Sequence, residues 1–230
     1  MQLSFWIRRA HKWIGLIVGV QALLWMISGL YMVIVPIDVI HGDHLAHVSN
    51  EPLKPGAVRI AQAKLAQLYP GITSVRLKNM LGKEMYEIKQ GKDTALVDVT
   101  TGVKLSPLGR DTIMALAEES HVGEGSIRGI EWVMKAPSEV GRRPVPLWAV
   151  HYDEAGDTTL YFSPYTGDLV ARRHNLWRIF DFVWMLHIMD YETREDVNNL
   201  LLRIAALTGI TFALSGAWLL LYSFKRRKHA

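Results

Sequence analysis

Residues 13–37 read WIGLIVGVQALLWMISGLYMVIVPI, 25 positions without an Asp, Glu, Lys or Arg. As a helix rising 1.5 Å per residue, the stretch spans roughly 35 Å, more than the roughly 30 Å hydrocarbon core of a bilayer. A second stretch, Ile204 to Phe224, runs 21 residues without a charge and meets the same criterion. The sequence therefore predicts a chain that crosses a membrane twice, with everything between the spans on one side. The fold class is then an α+β membrane protein: two transmembrane helices flanking a translocated domain.

The flanks give the orientation. Arg8, Arg9 and Lys12 precede the first span, and Lys225, Arg226, Arg227 and Lys228 come after the second. Asp38, Asp43, Asp190, Glu192, Glu195 and Asp196 lie at the opposite flanks. The positive-inside rule puts both termini in the cytoplasm and the middle in the periplasm of a bacterium, with the spans in its cytoplasmic (inner) membrane. The formal net charge of +4 is then an imprint of topology and argues against a nucleic-acid partner. The chain has no cysteine, which excludes disulfides, c-type haem attachment, iron–sulfur clusters and thiolate zinc sites. The first apolar run is too long for a cleaved signal peptide and reads as an uncleaved signal anchor.

Between the spans the pattern repeats. Residues 56–69 (GAVRIAQAKLAQLY) carry apolar positions at helical spacing, and strand-like runs come next at SVRLKN, EMYEIKQ and TALVDVTTGVKL. The second half starts with a helix near 110–121, then strands at RGIEWVMKA, LWAVHYDE and TTLYFSPYTGDLVARR. Thr101–Gly102 and Thr166–Gly167 mark equivalent turns. The expectation is two units, each a helix plus three strands. In LWRIFDFVWMLHIM (176–189), Phe180, Val183, Trp184 and His187 share one face, and Arg178 and Asp181 stand at pairing distance. That pattern predicts an interfacial amphipathic helix. The domain plan is a cytoplasmic lead-in and first span (1–37), a histidine-containing loop (38–54), unit one (55–108), unit two (109–174), the interfacial helix and acidic turn (175–198), and the second span with its basic tail (199–230). Gly15 and Gly19 form a GxxxG, and Ser28–Gly29 and Ser215–Gly216 add small pairs, either for close helix approach or as glycines that membrane helices merely tolerate.

Three stretches carry a resemblance: RRAHKWIGL running on to LLWMISGLYM, the two D/S-x-x-TG turns, and FDFVWMLHIMDY with LSGAWLLL after it. Over nearly its whole length the chain resembles the PepSY-associated transmembrane family. The resemblance implies tandem PepSY-like units, similar to the inhibitory propeptide module of secreted metalloproteases. Larger, four-span members look like ferric-siderophore reductases that bind b-type haem between helix histidines, and some are fused to flavoprotein reductase domains. This chain has two spans, so the resemblance implies a homodimer or a partner membrane subunit.

Histidine is the usual ligand of membrane-embedded haem b, and ionisable groups near the membrane are functional candidates by default. His11 and His187 sit at opposite ends of the spans, about 30 Å apart, and cannot share one iron. His187 would then pair with His44 and His11 with a residue of another chain, while Arg203 would meet a haem propionate or pair with Glu195 or Asp196. Against these stand the plain alternatives: His11 as an interfacial residue beside phosphates, and His187 bonded to a carbonyl or to Asp190. The His41, His44, His47 run also has the spacing of a copper, zinc or ferric iron site, or of a chance surface loop. His121 and His151 read as structural, His174 and His229 as solvated. Arg142–Arg143 and Arg172–Arg173 form either a basic patch for an anionic chelate or a solvated face. No G-x-S-x-G, HExxH, phosphate loop or dinucleotide fingerprint occurs, so flavin or nicotinamide chemistry would belong to a partner polypeptide. The functional expectation is an electron-transfer module linked to iron or siderophore reduction; the alternative is a cofactor-free anchor or regulatory subunit of an envelope complex or protease.

Overall fold

A computed structural model describes residues 2–47, 52–53 and 57–225. Arg226, Arg227, Lys228 and His229 lie outside them, as does part of the 38–54 loop. In chain order the elements are α1 (Gln2–Ile34), α2 (Ile37–His41), α3 (Gln62–Leu68), β1 (Ser74–Met80), β2 (Lys83–Gln90), β3 (Asp93–Asp98), α4 (Arg110–Ser120), β4 (Ser126–Val133), β5 (Leu147–Asp153), β6 (Thr159–Phe162), β7 (Leu169–Arg173), α5 (Asn175–Ile188) and α6 (Leu200–Lys225). They form two compact units, Met1–Pro36 with Ile179–Ala230, and Ile37–Arg178.

The helical unit holds both helices long and apolar enough to span a bilayer, over Arg8–Ile34 and Leu200–Leu221. α1 stops short of Pro36, whose ring disfavours helical backbone in the residue before it. α6 starts on a side-chain cap: Asn199 Oδ1 accepts the amide of Leu202 at 2.8 Å, while its Nδ2 donates to the carbonyl of Ile188 at 2.9 Å. The two helices pack against each other, with Gly15 under the Phe212 ring: a Cβ there would lie 2.9 Å from Cε2. Gly19 meets nothing within 4 Å. Of the GxxxG pair, only Gly15 is a packing glycine. The acidic turn before α6 is built around Asp190, which accepts from the amides of Glu192, Thr193, Glu195 and Asp196 and from the Thr193 hydroxyl. The Thr193 hydroxyl and those amides hold its carboxyl well below the usual carboxylate range.

The β-rich unit contains a three-stranded antiparallel sheet, β1-β2-β3, and a four-stranded one, β4-β5-β6-β7. Strand alternation explains its layers, because β2, β3, β5 and β6 are buried on both faces. Tyr86, Ile88 and Val97 turn to Leu65 of α3, whereas Met85 and Leu96 turn the other way. There they join Ile113 and Leu116 of α4 and Val150, Tyr152, Leu160 and Phe162 of the second sheet in one core. The far face of the second sheet buries Leu147, Ala149 and Tyr161 under Val140. The two repeats therefore share a core.

Both expected turns have the same geometry. Asp98 Oδ1 accepts the amides of Thr100 and Thr101 at 2.9 and 2.7 Å, and Ser163 Oγ accepts those of Tyr165 and Thr166, both at 3.2 Å. Each turn closes on a glycine with positive φ, +75° at Gly102 and +67° at Gly167. Space is tight at both: a Cβ would lie 2.8 Å from Leu68 Cδ1 at Gly102 and 2.5 Å from Met80 Sδ at Gly167. Beyond the turns the two repeats diverge, and the expected three strands per unit hold only for the first. After Gly167 the chain forms a full fourth strand, β7, whereas after Gly102 it makes only a bridge from Lys104 to Val97. Pro107 offers no amide to extend that ladder.

Candidate functional site: two histidine–serine pairs

The sequence places polar side chains sparingly on the spans, so each polar pairing there carries information. His11, on the N-terminal part of α1, brings Nδ1 to 2.7 Å from Ser215 Oγ of α6. Its ring stacks on Phe212 with centroids 4.4 Å apart. Gly216 lies against the ring, where a Cβ would make an ordinary contact 3.4 Å from His11 Cε1. His187, near the end of α5, repeats the arrangement: Nδ1 lies 2.7 Å from Ser28 Oγ of α1, and its carbonyl accepts Trp25 Nε1 at 2.8 Å. Its ring continues a parallel aromatic ladder, Phe180–Trp184–His187, with centroids 6.2 and 6.5 Å apart. Trp184 Nε1 donates to the carbonyl of Arg194 at 3.0 Å.

In both pairs the second ring nitrogen, Nε2, has no hydrogen-bond partner among the described residues and is not sealed from its surroundings. Ser28 lies 17 residues beyond His11 on α1, so the two pairs are separated by roughly 26 Å along the helix. One imidazole with an open nitrogen thus stands at each end of the helical unit. Beside them, Leu16, Ile17, Gln21, Trp25, Ala205 and Thr208 line an apolar cleft of about 540 Å³ between α1 and α6.

Arg203 is exposed on the first turn of α6 and makes no ion pair with Glu195 or Asp196 among the described residues. The Asn199–Ile188 hydrogen bond ties that turn to the end of α5 where His187 stands. In the β-rich unit His41, His44 and His47 are exposed, at the end of α2, in the turn after it and beside the Ala46–His121 bridge. Among the described residues no three His, Asp or Glu side chains are grouped to hold a metal ion. His44 instead meets the ring of His174 edge-on at 5.9 Å.

Several expectations are corrected. His174 is not solvated: it is 4% exposed, with Nε2 3.2 Å from the carbonyl of Ile40. Burial pushes its pKa down. Arg178 does not pair with Asp181 one turn on; it bonds Glu139 at 2.9 Å and the Asp157 carbonyl at 2.8 Å, while Asp181 pairs with Arg194. His187 does not bond Asp190, whose oxygens are taken up by backbone amides. The arginine pairs are engaged in different ways, and Arg142 and Arg143 are exposed. Arg172 bonds Asp43 at 3.1 Å, Arg143 the Val140 carbonyl at 2.7 Å, and Arg173 the Glu139 carbonyl while stacking on Trp177. Sequence reasoning marked Ser28 and Ser215 only as small residues. The signal that points to them is the recurrence of Ser–Gly at one end of each span, WMISGLY and FALSGAW.

Comparison with known proteins gives one result. A family model described as PepSY-associated TM region matches residues 8–230. No curated protein and no solved structure matches the chain.

Proposed function

The chain belongs to the PepSY-associated TM region family, and on that footing we propose that it is a membrane electron-transfer module that holds b-type haem. The observation that carries this reading is the pair of open Nε2 atoms on His11 and His187, each on a ring already anchored through Nδ1. The donor set fits the group, because haem iron takes neutral imidazole nitrogen. His187 would hold one haem, and His11 another with the same residue of a second copy. Arg203 is the exposed cation offered to a propionate at the His187 end, and Arg8, Arg9 and Lys12 flank His11 at the other. Bound there, haem b supplies a one-electron iron couple. The chain's residues fix the imidazole rings and offer cations to carboxylates.

The reading places the protein in a bacterial cytoplasmic membrane, termini inside and β-rich unit in the periplasm, acting in iron or siderophore reduction. The electron donor is a separate polypeptide, of the flavoprotein reductase class. The experiment is a reduced-minus-oxidised absorption spectrum of the full chain, purified in detergent from haem-replete cells. A Soret band that sharpens and shifts with dithionite, with resolved α and β bands, supports the proposal. A featureless spectrum from correctly inserted protein overturns it and leaves the cofactor-free anchor reading, for which a stable partner should co-purify.

A further inference from the structure

The two histidine–serine pairs have the same hydrogen inventory. Ser28 Oγ lies 3.0 Å from the carbonyl oxygen of Trp25 as well as 2.7 Å from His187 Nδ1. Ser215 Oγ lies 2.8 Å from the carbonyl oxygen of Phe212 and 2.7 Å from His11 Nδ1. A serine owns one hydroxyl proton, and a carbonyl oxygen can only accept. Were that proton given to Nδ1, two bare oxygens would face each other at hydrogen-bond distance with nothing between them. Given to the carbonyl, it leaves Oγ as acceptor, and Nδ1 must be the nitrogen that carries the imidazole proton. Ser28 is 3% exposed, so water does not supply an alternative donor there. A neutral imidazole has one N–H, so Nε2 presents its lone pair at both sites.

We propose that Ser28 and Ser215 are positioning residues that lock His187 and His11 in the tautomer with Nε2 free, raising each ring's strength as a donor to iron. The inference rests on the haem reading above and gives the serines that anchor its rings a role that reading leaves open. The physical reason is general: a metal-bound imidazole whose other N–H is held by an acceptor is fixed in orientation and is more basic. A more basic ligand favours ferric over ferrous iron, so each serine should lower the potential of its own haem. Threonine should substitute for serine, because it keeps the hydroxyl, and α6 already holds Thr208 and Thr211 with their hydroxyls bonded to carbonyls of the preceding turn, at 2.8 and 2.9 Å.

The test uses full-length, haem-loaded protein carrying Ser28→Ala, Ser215→Ala or the matching threonine replacements. Each is read by redox titration, by the low-spin electron paramagnetic resonance signal and by haem retention. Ser28→Ala should raise the potential and broaden the signal of the His187 haem alone, and Ser215→Ala those of the His11 haem alone. Each alanine variant should hold its haem about 10-fold less tightly. The threonine variants should restore both signatures. If the wild type is coloured and the alanine variants keep its potentials and signals, the serines only pack helices; the inference falls and the haem reading stands. If threonine and alanine variants fail alike, with loss of thermal stability, the role is steric and the inference again falls. A colourless wild type removes the haem reading and the inference with it.

Discussion

Three histidines of the β-rich unit, His121, His151 and His174, and the two paired histidines of the helical unit are treated in different ways, while His41, His44 and His47 stay exposed. On the second sheet His151 has both ring nitrogens engaged, Nδ1 with Thr159 at 3.1 Å and Nε2 with Glu131 at 3.4 Å. His121 is packed on Tyr152 with centroids 3.8 Å apart and faces Glu154, and His174 is buried against a backbone carbonyl. Those rings are packed into the fold, His151 through both nitrogens, although His121 Nε2 is buried with no hydrogen-bond partner among the described residues. In the helical unit each of the two paired histidines is held by one nitrogen and left open at the other. Side chains of the same chemistry are structural where a sheet offers many polar neighbours, and available where two apolar helices offer one serine each.

Removing histidines from both regions puts this contrast at greatest risk. On the haem proposal, His187→Ala should lower haem retention at least about tenfold, the scale that even an outer-shell partner commands. His151→Ala should leave the reduced-minus-oxidised spectrum unchanged. Equal loss in both variants would make the distinction between regions empty.

Next in size is a change confined to the β-rich unit. Gly167→Ala adds a Cβ at positive φ and against Met80, and should destabilise that unit by about 2–5 kcal/mol, as left-handed strain and overpacking combine. Chemical denaturation monitored by the near-ultraviolet signal checks it; an unchanged midpoint would mean the turn relaxes without cost.

A smaller effect is expected from pH. His174 binds a proton less readily in the folded unit than the ordinary value of 6.5 for the unfolded chain. The unfolded state therefore holds more protons, and stability must rise with pH. The melting midpoint of the β-rich unit should be flat above about pH 6.5 and fall as the medium is acidified towards the lowered folded value. His174→Gln should remove that component of the slope. The smallest effect belongs to the first span: Gly15→Ala should weaken α1–α6 packing by about 1 kcal/mol, and Gly19→Ala should do nothing measurable. Thermal aggregation in detergent separates the two, and a matching loss for Gly19→Ala would show a contact at its open face.

The features legible in the sequence are those that depend on near neighbours. The spans come from 25 and 21 uncharged residues, and the equivalent turns from D/S-x-x-TG, where the side chain two or three positions back accepts the turn amides. The aromatic face of α5 comes from helical spacing. Whatever depends on which elements meet was not legible. Ser28 and Ser215 are 159 and 204 residues from the histidines they hold, and no spacing rule reaches that far. Arg178 has a partner one turn away by pattern and takes Glu139 and Asp157 instead, because the chain folds them onto it. His174 looks solvated in an Arg-rich stretch until α2 supplies a carbonyl and covers it. The sequence places a turn inside the run that forms β6 and β7, but does not show that the chain after it pairs as a full strand while the equivalent run after Gly102 makes only a bridge.

Whether the open nitrogens of His11 and His187 hold haem is decided by haem content. The measurement is haem per chain in detergent-purified wild type, in each single alanine variant and in the His11→Ala, His187→Ala double variant, all from haem-replete cells. Haem held at both sites gives a coloured wild type, partial loss in each single variant and a colourless double variant that still inserts and folds. A colourless wild type, or a double variant as coloured as the wild type, would refute it.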